Sequence, residues 1–187
     1  SHASQPENGH NPARAISKLI IDIPELTARE DHRGIVMATV VCVRIGEEAF
    51  GTNAGFGQLM LTIRAEFESE LDALDAEICA RARAYARQDG ITNVEVQYRD
   101  SFPETRNTPD AVAAVRKARL ECGLPEARWD EPFRSSEDFG YTKLTSGALF
   151  YIGCGTHHAK LHTREYDFND EIIEPAVDMM FRLAQDA

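Results

Sequence analysis

The fold of this chain is decided by residues 35–66, which read IVMATVVCVRIGEEAFGTNAGFGQLMLTIRAE. The first part, 35–45, is rich in β-branched residues and predicts a strand. Residues 58–66 alternate between apolar and polar side chains and predict a second strand. The glycine-rich stretch 46–57 predicts the loop that connects the two strands.

Helices are predicted on both sides of this strand pair. Apolar residues recur at helical spacing over 12–23, and Pro24 ends that helix or lies just beyond it. A longer helix is predicted over 69–88, and residues 94–98 alternate as a third strand. The order helix, strand, strand, helix, strand lacks only the leading strand of the βαββαβ ferredoxin-like sandwich.

The sequence changes character near residue 105, so we predict two domains, 1–105 and 106–187. Residues 148–152 (ALFYI) are wholly apolar and predict a strand buried on both faces. Helices are predicted over 109–122, 135–144 and 171–185. One strand is too little sheet for an independent domain, so 106–187 is expected to be the tail of a larger α/β domain. The predicted fold class is therefore α/β (α+β).

Composition and charge argue against two classes of function. The chain has 187 residues, with 20 Lys+Arg against 31 Asp+Glu and a net charge of −11. Such acidity argues against nucleic-acid binding, which needs a basic surface to displace counterions from phosphates. No apolar run approaches the roughly 20 residues that cross a bilayer, so no membrane partner is expected.

The four cysteines and His32 give less specific indications of cellular compartment and function. The four cysteines form no C-x-x-C pair, and no secretory leader is visible, which together favour a reducing cytoplasm. His32 lies in the charged segment REDHRG, where a solvated side chain is expected.

Histidines cluster in the segment GCGTHHAKLHTREYDFND at 153–170. His158 and His162 are four residues apart, a spacing that would place two imidazoles on one helical face for a zinc ion. Three interpretations stay open. The segment is a complete metal site that also uses Cys154 and His157, or a polar surface loop, or the source of one ligand to a metal held elsewhere.

Three segments together resemble one family. They are SHASQPENGHNPARA at 1–15, RSSEDFG at 134–140 and YIGCGTHHAKLHTREYDFND at 151–170. They are similar to the aminoacylase, hippurate hydrolase and carboxypeptidase family of dinuclear metallo-amidohydrolases, and VQYRDSFPETRN at 96–107 lies where that family ends its lid domain. The resemblance implies a ferredoxin-like lid and dimerisation domain over 1–105, followed by the C-terminal segment of a catalytic domain over 106–187.

The resemblance also implies roles for five residues. His162 matches the family's C-terminal metal-ligand histidine. His2 matches a lid histidine that reaches the active site of a neighbouring subunit and stabilises negative charge on the substrate carbonyl. Gly153 and Gly155 match a tight loop near the substrate, and Asn107 lies in a motif near the active site, so substrate contacts are expected at these three positions.

The activity implied by the resemblance is hydrolysis of N-acyl amino acid or peptide-like amides by metal-activated water. Two divalent ions, zinc, manganese or cobalt, are implied for each full-length active site. Because the other ligands and the Glu base would precede Ser1, this chain alone is expected to be inactive and not to retain the metals. The expected partners are a small N-acyl amino acid or peptide-like substrate and a second subunit bound through the lid. The alternative is a non-catalytic ferredoxin-like binding or dimerisation module.

Overall fold

The computed structural model describes residues 1–127, 129, 131–135 and 137–185. The chain divides into two compact units, Ser1–Ser101 and Phe102–Ala187, which we call unit 1 and unit 2. The mixed α/β fold class predicted from the sequence is confirmed. Among the described helices, none combines the length and the apolarity that crossing a membrane requires.

Unit 1 contains two α-helices and two strands in the predicted order, after a short 3-10 helix over Pro6–Asn8. They are α1 (Ala13–Thr27), β1 (Val36–Ile45), β2 (Gly57–Ala65) and α2 (Glu68–Gln88). The strands pair antiparallel, and the register shifts between Val40 and Cys42, which places Val41 at a bulge. The core is formed where both helices pack on one face of this sheet, and its most buried members are Leu19, Leu26, Val36, Leu74 and Ile78.

The first helix is longer than the sequence predicts, because it continues through Pro24 to Thr27. A proline inside a helix costs about 3 kcal/mol or more, since it removes a hydrogen bond and crowds the preceding turn. Leu26, beyond the proline, is only 2% exposed in the core. Burying such a side chain contributes about 2 kcal/mol and offsets much of that cost.

The third strand predicted over 94–98 is wrong. Val94 and Val96 are half-buried and Glu95 and Gln97 are exposed, so the alternation itself is present. However, the described part of unit 1 has a sheet of β1 and β2 alone. A strand requires a hydrogen-bonded neighbour, and no described residue of unit 1 provides one for residues 94–98.

Unit 2 contains the helices α3 (Pro109–Glu121) and α4 (Ile173–Gln185), which pack against each other. Both confirm predicted helices, and the short helix predicted near 135–144 is a 3-10 helix over Asp138–Leu144. A further 3-10 turn, Asp170–Ile172, leads into α4. Asn169 caps this turn, because its side chain accepts a hydrogen bond from the Glu171 N–H.

The strand predicted over 148–152 is also wrong, since none of these residues pairs with a strand in the described part of unit 2. They are partly exposed rather than buried on both faces, and they line an apolar cleft of about 590 Å³. The opposite wall comes from α4, through Ile173, Val177 and Met180. As at 94–98, a strand-like sequence pattern is not sufficient, because a strand also needs a neighbouring strand to pair with.

Candidate active-site segments

His2 lies beside the glycine-rich loop between β1 and β2. It forms an isolated antiparallel bridge with Thr52. Hydrogen bonds flank the bridge on both sides, from the Ala3 N–H to the Gly51 carbonyl at 3.0 Å and from the Asn53 N–H to the Ser1 carbonyl at 2.9 Å. The backbone around His2 is therefore fixed to the loop.

The ring of His2 has a defined hydrogen-bonding state. Its Nδ1 atom accepts from the Ser4 N–H at 3.1 Å and lies 2.7 Å from the Ser4 hydroxyl oxygen. Because a backbone N–H can only donate, Nδ1 is the unprotonated nitrogen. The ring hydrogen is therefore on Nε2, where it is available for donation on an exposed side chain.

Two asparagines connect this loop to α1. The Asn11 Nδ2 donates to Asn53 Oδ1 at 2.6 Å, and Asn11 Oδ1 accepts from the Ala13 N–H at 2.9 Å in the first turn of the helix. The Asn53 Nδ2 in turn donates to the Ser1 hydroxyl at 3.3 Å. Asn53 is not identifiable from the sequence, because a glycine-rich loop shows no periodicity that would indicate its partner.

His162 has an unusual backbone conformation, with a φ of 66° in the left-handed region. A turn holds it there, because the Thr163 N–H and hydroxyl both donate to the Lys160 carbonyl, at 3.2 and 2.7 Å. No helix forms over 156–162, so His158 and His162 do not share a helical face. His158 instead has its Nδ1 atom 2.8 Å from the Ala159 carbonyl oxygen.

The described residues do not assemble a complete metal site. No group of three or more His, Cys, Asp or Glu side chains among them is arranged to hold an ion. A site built from Cys154, His157, His158 and His162 is therefore not formed in this part of the chain. The described side chains therefore do not form a dinuclear centre, which needs several ligands and a carboxylate base.

The glycine loop next to this segment has one position that requires glycine. Gly155 has a φ of 105°, which side chains rarely adopt, whereas Gly153 has open space around its missing Cβ and no such φ. The carbonyl of Cys154, between them, accepts from Asn169 Nδ2 at 3.1 Å. Asn169 thus holds the loop and caps the turn before α4, a double role that the sequence analysis missed.

Asn107 contacts its own chain in the structure. Its amide exchanges two hydrogen bonds with the backbone of Leu149, and the neighbouring Thr108 N–H donates to the Gly147 carbonyl at 2.9 Å. These contacts fasten the segment before the glycine loop to the start of α3. The substrate contact expected at Asn107 stays a prediction.

Asp110, in the first turn of α3, strengthens the same junction. Its carboxylate accepts from the Ser146 hydroxyl at 2.6 Å. Hydrogen bonds from Ser146, Thr108 and the Ala111 N–H favour the ionised form and lower the pKa of Asp110 to about 2.

The family of the chain follows from comparison with known proteins. The sequence model of Peptidase family M20/M25/M40 matches residues 7–186. The chain belongs to this family. The family assignment made from the three segments at 1–15, 134–140 and 151–170 is thereby confirmed.

Individual relatives are distant. An uncharacterized hydrolase of Staphylococcus haemolyticus is 23% identical over 181 residues, covering 92% of this chain and 46% of the relative. The hippurate hydrolase of Campylobacter jejuni is 22% identical over 186 residues, covering 98% of this chain and 48% of the enzyme. The chain thus spans about half the length of the curated relatives it matches.

A solved structure shares the fold. A protein of methicillin-resistant Staphylococcus aureus, named as an aminohydrolase, superimposes with a TM-score of 0.78 at 19% identity. The match covers 100% of this chain and 49% of that one. The described elements therefore occur together in a longer protein of known structure.

Proposed function

We propose that this chain supplies part of the active site of a metal-dependent amidohydrolase that cleaves N-acyl amino acid or peptide-like amides. The observation that carries the proposal is the match to Peptidase family M20/M25/M40 over residues 7–186. The hippurate hydrolase among the relatives supports an N-acyl amino acid as the substrate class. In the complete enzyme, two divalent ions of zinc, manganese or cobalt would make a bound water nucleophilic at neutral pH.

His162 would provide one ligand to one of these ions. Its exposed side chain and its position in a tight hydrogen-bonded turn support this role. The remaining ligands and the general base would come from the half of the enzyme that this chain does not match in its relatives. We therefore expect the chain alone to be inactive.

His2 would donate a hydrogen bond to the substrate carbonyl oxygen as negative charge develops on it. The protonated Nε2 supports this role, because an oxyanion needs a donor at the position where it forms. The bridge to Thr52 would keep the ring in place through the backbone. In a dimer, His2 would reach the active site of the second subunit.

Metal content tests the ligand assignment. The 187-residue chain is dialysed against zinc or manganese and then against buffer, and bound metal is measured by elemental analysis. We expect less than one weakly held ion per chain, lost in His162→Ala and unchanged in His158→Ala, a neighbouring histidine that is also exposed. Tight binding that survives His162→Ala would overturn the assignment.

A homodimer formed through unit 1 belongs to the same proposal. In the described part of unit 1, β1 and β2 each have one strand neighbour, so each offers an unpaired edge. Light scattering over a range of protein concentrations measures the mass directly. A monomer at high concentration would contradict the dimer and would leave the metal assignment untouched.

A further inference from the structure

The connection between α1 and β1, residues 28–35, is fastened to α2 by cationic side chains. The Arg29 Nη1 donates to Glu77 Oε2 at 2.8 Å. Arg33 lies over the ring of Phe67, the residue just before α2, with 3.8 Å from its guanidinium carbon to the ring centroid. His32 lies between these two arginines in sequence, and histidine is the side chain whose charge changes near neutral pH.

His32 is largely buried rather than solvated, which corrects the prediction made from the charged segment around it. Its side chain is 13% exposed. Its Nε2 lies 2.7 Å from the Leu26 carbonyl oxygen, and its Nδ1 lies 3.1 Å from Glu70 Oε2. Since a carbonyl and a carboxylate oxygen only accept, both contacts are hydrogen bonds only when both ring nitrogens carry hydrogen.

The surroundings of the ring favour its charged form. The Leu26 carbonyl lies in the last turn of α1, where helix carbonyls lack donors and the helix dipole attracts a cation. Glu70 lies in the first turn of α2 and carries the opposite charge. The hydrogen bonds to the Leu26 carbonyl and Glu70 raise the pKa of His32, and the nearby Asp31 acts in the same direction.

We infer that residues 28–35 form a pH-sensitive strap that the doubly bonded His32 imidazolium closes over the ends of α1 and α2. Loss of a proton from either nitrogen would leave two lone pairs facing each other at one of the two contacts. The other charged groups around the ring are Arg29, Asp31 and Glu77, which line the same hollow of about 230 Å³.

Opening of the strap would uncover the core. The hollow is also lined by Leu26 and Leu74, which are 2% and 3% exposed in the closed arrangement. Because the pKa of folded His32 is raised, the stabilisation is complete below the ordinary histidine pKa. It is lost as the pH rises through the pKa of the folded protein. The direction is therefore loosening in alkali, the opposite of an acid-triggered histidine switch.

The test combines two measurements on the full chain. NMR follows the ring protons of His32 with pH, and hydrogen exchange follows the strap amides as protection relative to amides of β1 and β2. We expect His32 to titrate above the ordinary value of about 6.5. Relative protection of the strap should then fall roughly tenfold over the same pH range, the effect of losing one charge-assisted hydrogen bond.

Matched variants separate the ring from general instability. His32→Gln should give, at every pH, the low strap protection that the parent chain has in alkali, and should abolish its pH dependence. Glu70→Gln, which keeps the ring, should lower the pKa of His32. His10→Gln is the control, because His10 also contacts a backbone carbonyl, that of Asp89, and forms no hydrogen bond with a carboxylate in the part of the chain that the structure describes. The inference would be overturned if His32 titrated at or below the ordinary value. It would also be overturned if the protection of the strap amides did not change over the pH range in which His32 titrates.

Discussion

Asn107 and Leu149 are joined by two hydrogen bonds, from Asn107 Nδ2 to the Leu149 carbonyl at 2.9 Å and from the Leu149 N–H to Asn107 Oδ1 at 2.8 Å. One side-chain amide thus satisfies both backbone groups of one residue, as a neighbouring strand would. This pair explains how the apolar segment 148–152 keeps its place in unit 2 without belonging to a sheet.

Removal of the Asn107 amide should destabilise unit 2. Because a typical intramolecular hydrogen bond contributes about 1 kcal/mol, Asn107→Ala should lower the free energy of unfolding by about 1–2 kcal/mol. Asn107→Asp keeps the acceptor for the Leu149 N–H but turns a carboxylate oxygen toward the Leu149 carbonyl oxygen, so it should cost at least as much as Asn107→Ala. Urea unfolding and the exchange rate of the Leu149 amide measure both effects. Unchanged exchange at Leu149 in Asn107→Ala would contradict the role given to the pair.

Much of the fold could be predicted from the sequence, because the information is local. The β-branched run at 35–45, the alternation at 58–66 and the long helical pattern at 69–88 each name their own structure. The two failed strands, 94–98 and 148–152, had equally good patterns. A strand also depends on a neighbour, and no pattern within five residues shows whether that neighbour is present.

The pKa of Asp110 should depend on the groups that donate hydrogen bonds to its carboxylate at the start of α3. Its pKa is lowered to about 2, first by the Ser146 hydroxyl. A carboxyl whose pKa is depressed on folding adds stability above the ordinary Asp pKa, and this stability is lost as the pH falls toward 2. Ser146→Ala should therefore move the pKa of Asp110 upward, as measured by NMR titration.

The control for this prediction is Ser135→Ala. This variant also removes a hydroxyl of unit 2, but that hydroxyl contacts the hydroxyl of Tyr151 rather than a carboxylate. In that variant the pKa of Asp110 should stay as low as in the parent chain. If Asp110 titrates alike in Ser146→Ala and in the parent chain, the hydroxyl is not the main cause of the depressed pKa.

The strained backbone of His162 can be tested separately from its proposed role as a metal ligand. A non-glycine residue in the left-handed region costs roughly 1 kcal/mol. His162→Gly and His162→Ala both remove the imidazole, so both should lose the same metal. Gly relieves the strain at a φ of 66°, so that variant should be the more stable by about 1 kcal/mol in thermal unfolding. Equal stability would show that the turn relaxes when the histidine is removed.

The candidate site was only partly predictable from sequence. The residues carried over from the family, His2 and His162, depend on local motifs and could be named. Their neighbours could not, because the bridge from His2 to Thr52 and the bond from Asn53 to Ser1 join segments about 50 positions apart in the printed sequence. A one-dimensional pattern does not encode such pairings, so the contribution of the glycine-rich loop emerged only from the structure.

Replacement of His2 tests the proposed chemistry in the complete, metal-loaded enzyme. If Nε2–H stabilises the developing oxyanion, His2→Ala should reduce kcat by about 10²–10³-fold, the usual effect of losing one such donor, and leave the metal content intact. His2→Gln retains an N–H donor at a similar distance from the backbone and should recover part of the loss. N-benzoylglycine hydrolysis and elemental analysis supply the two measurements.

The interpretation of His2→Ala depends on whether kcat, KM or the metal content changes. Ser4→Ala is the matched control, since the Ser4 N–H still donates to Nδ1 and keeps the hydrogen on Nε2, so its turnover should stay close to that of the parent enzyme. An increase in KM alone in His2→Ala would indicate uniform substrate binding instead of transition-state stabilisation. A loss of metal in His2→Ala would contradict the oxyanion role outright, because it would make His2 part of the metal centre.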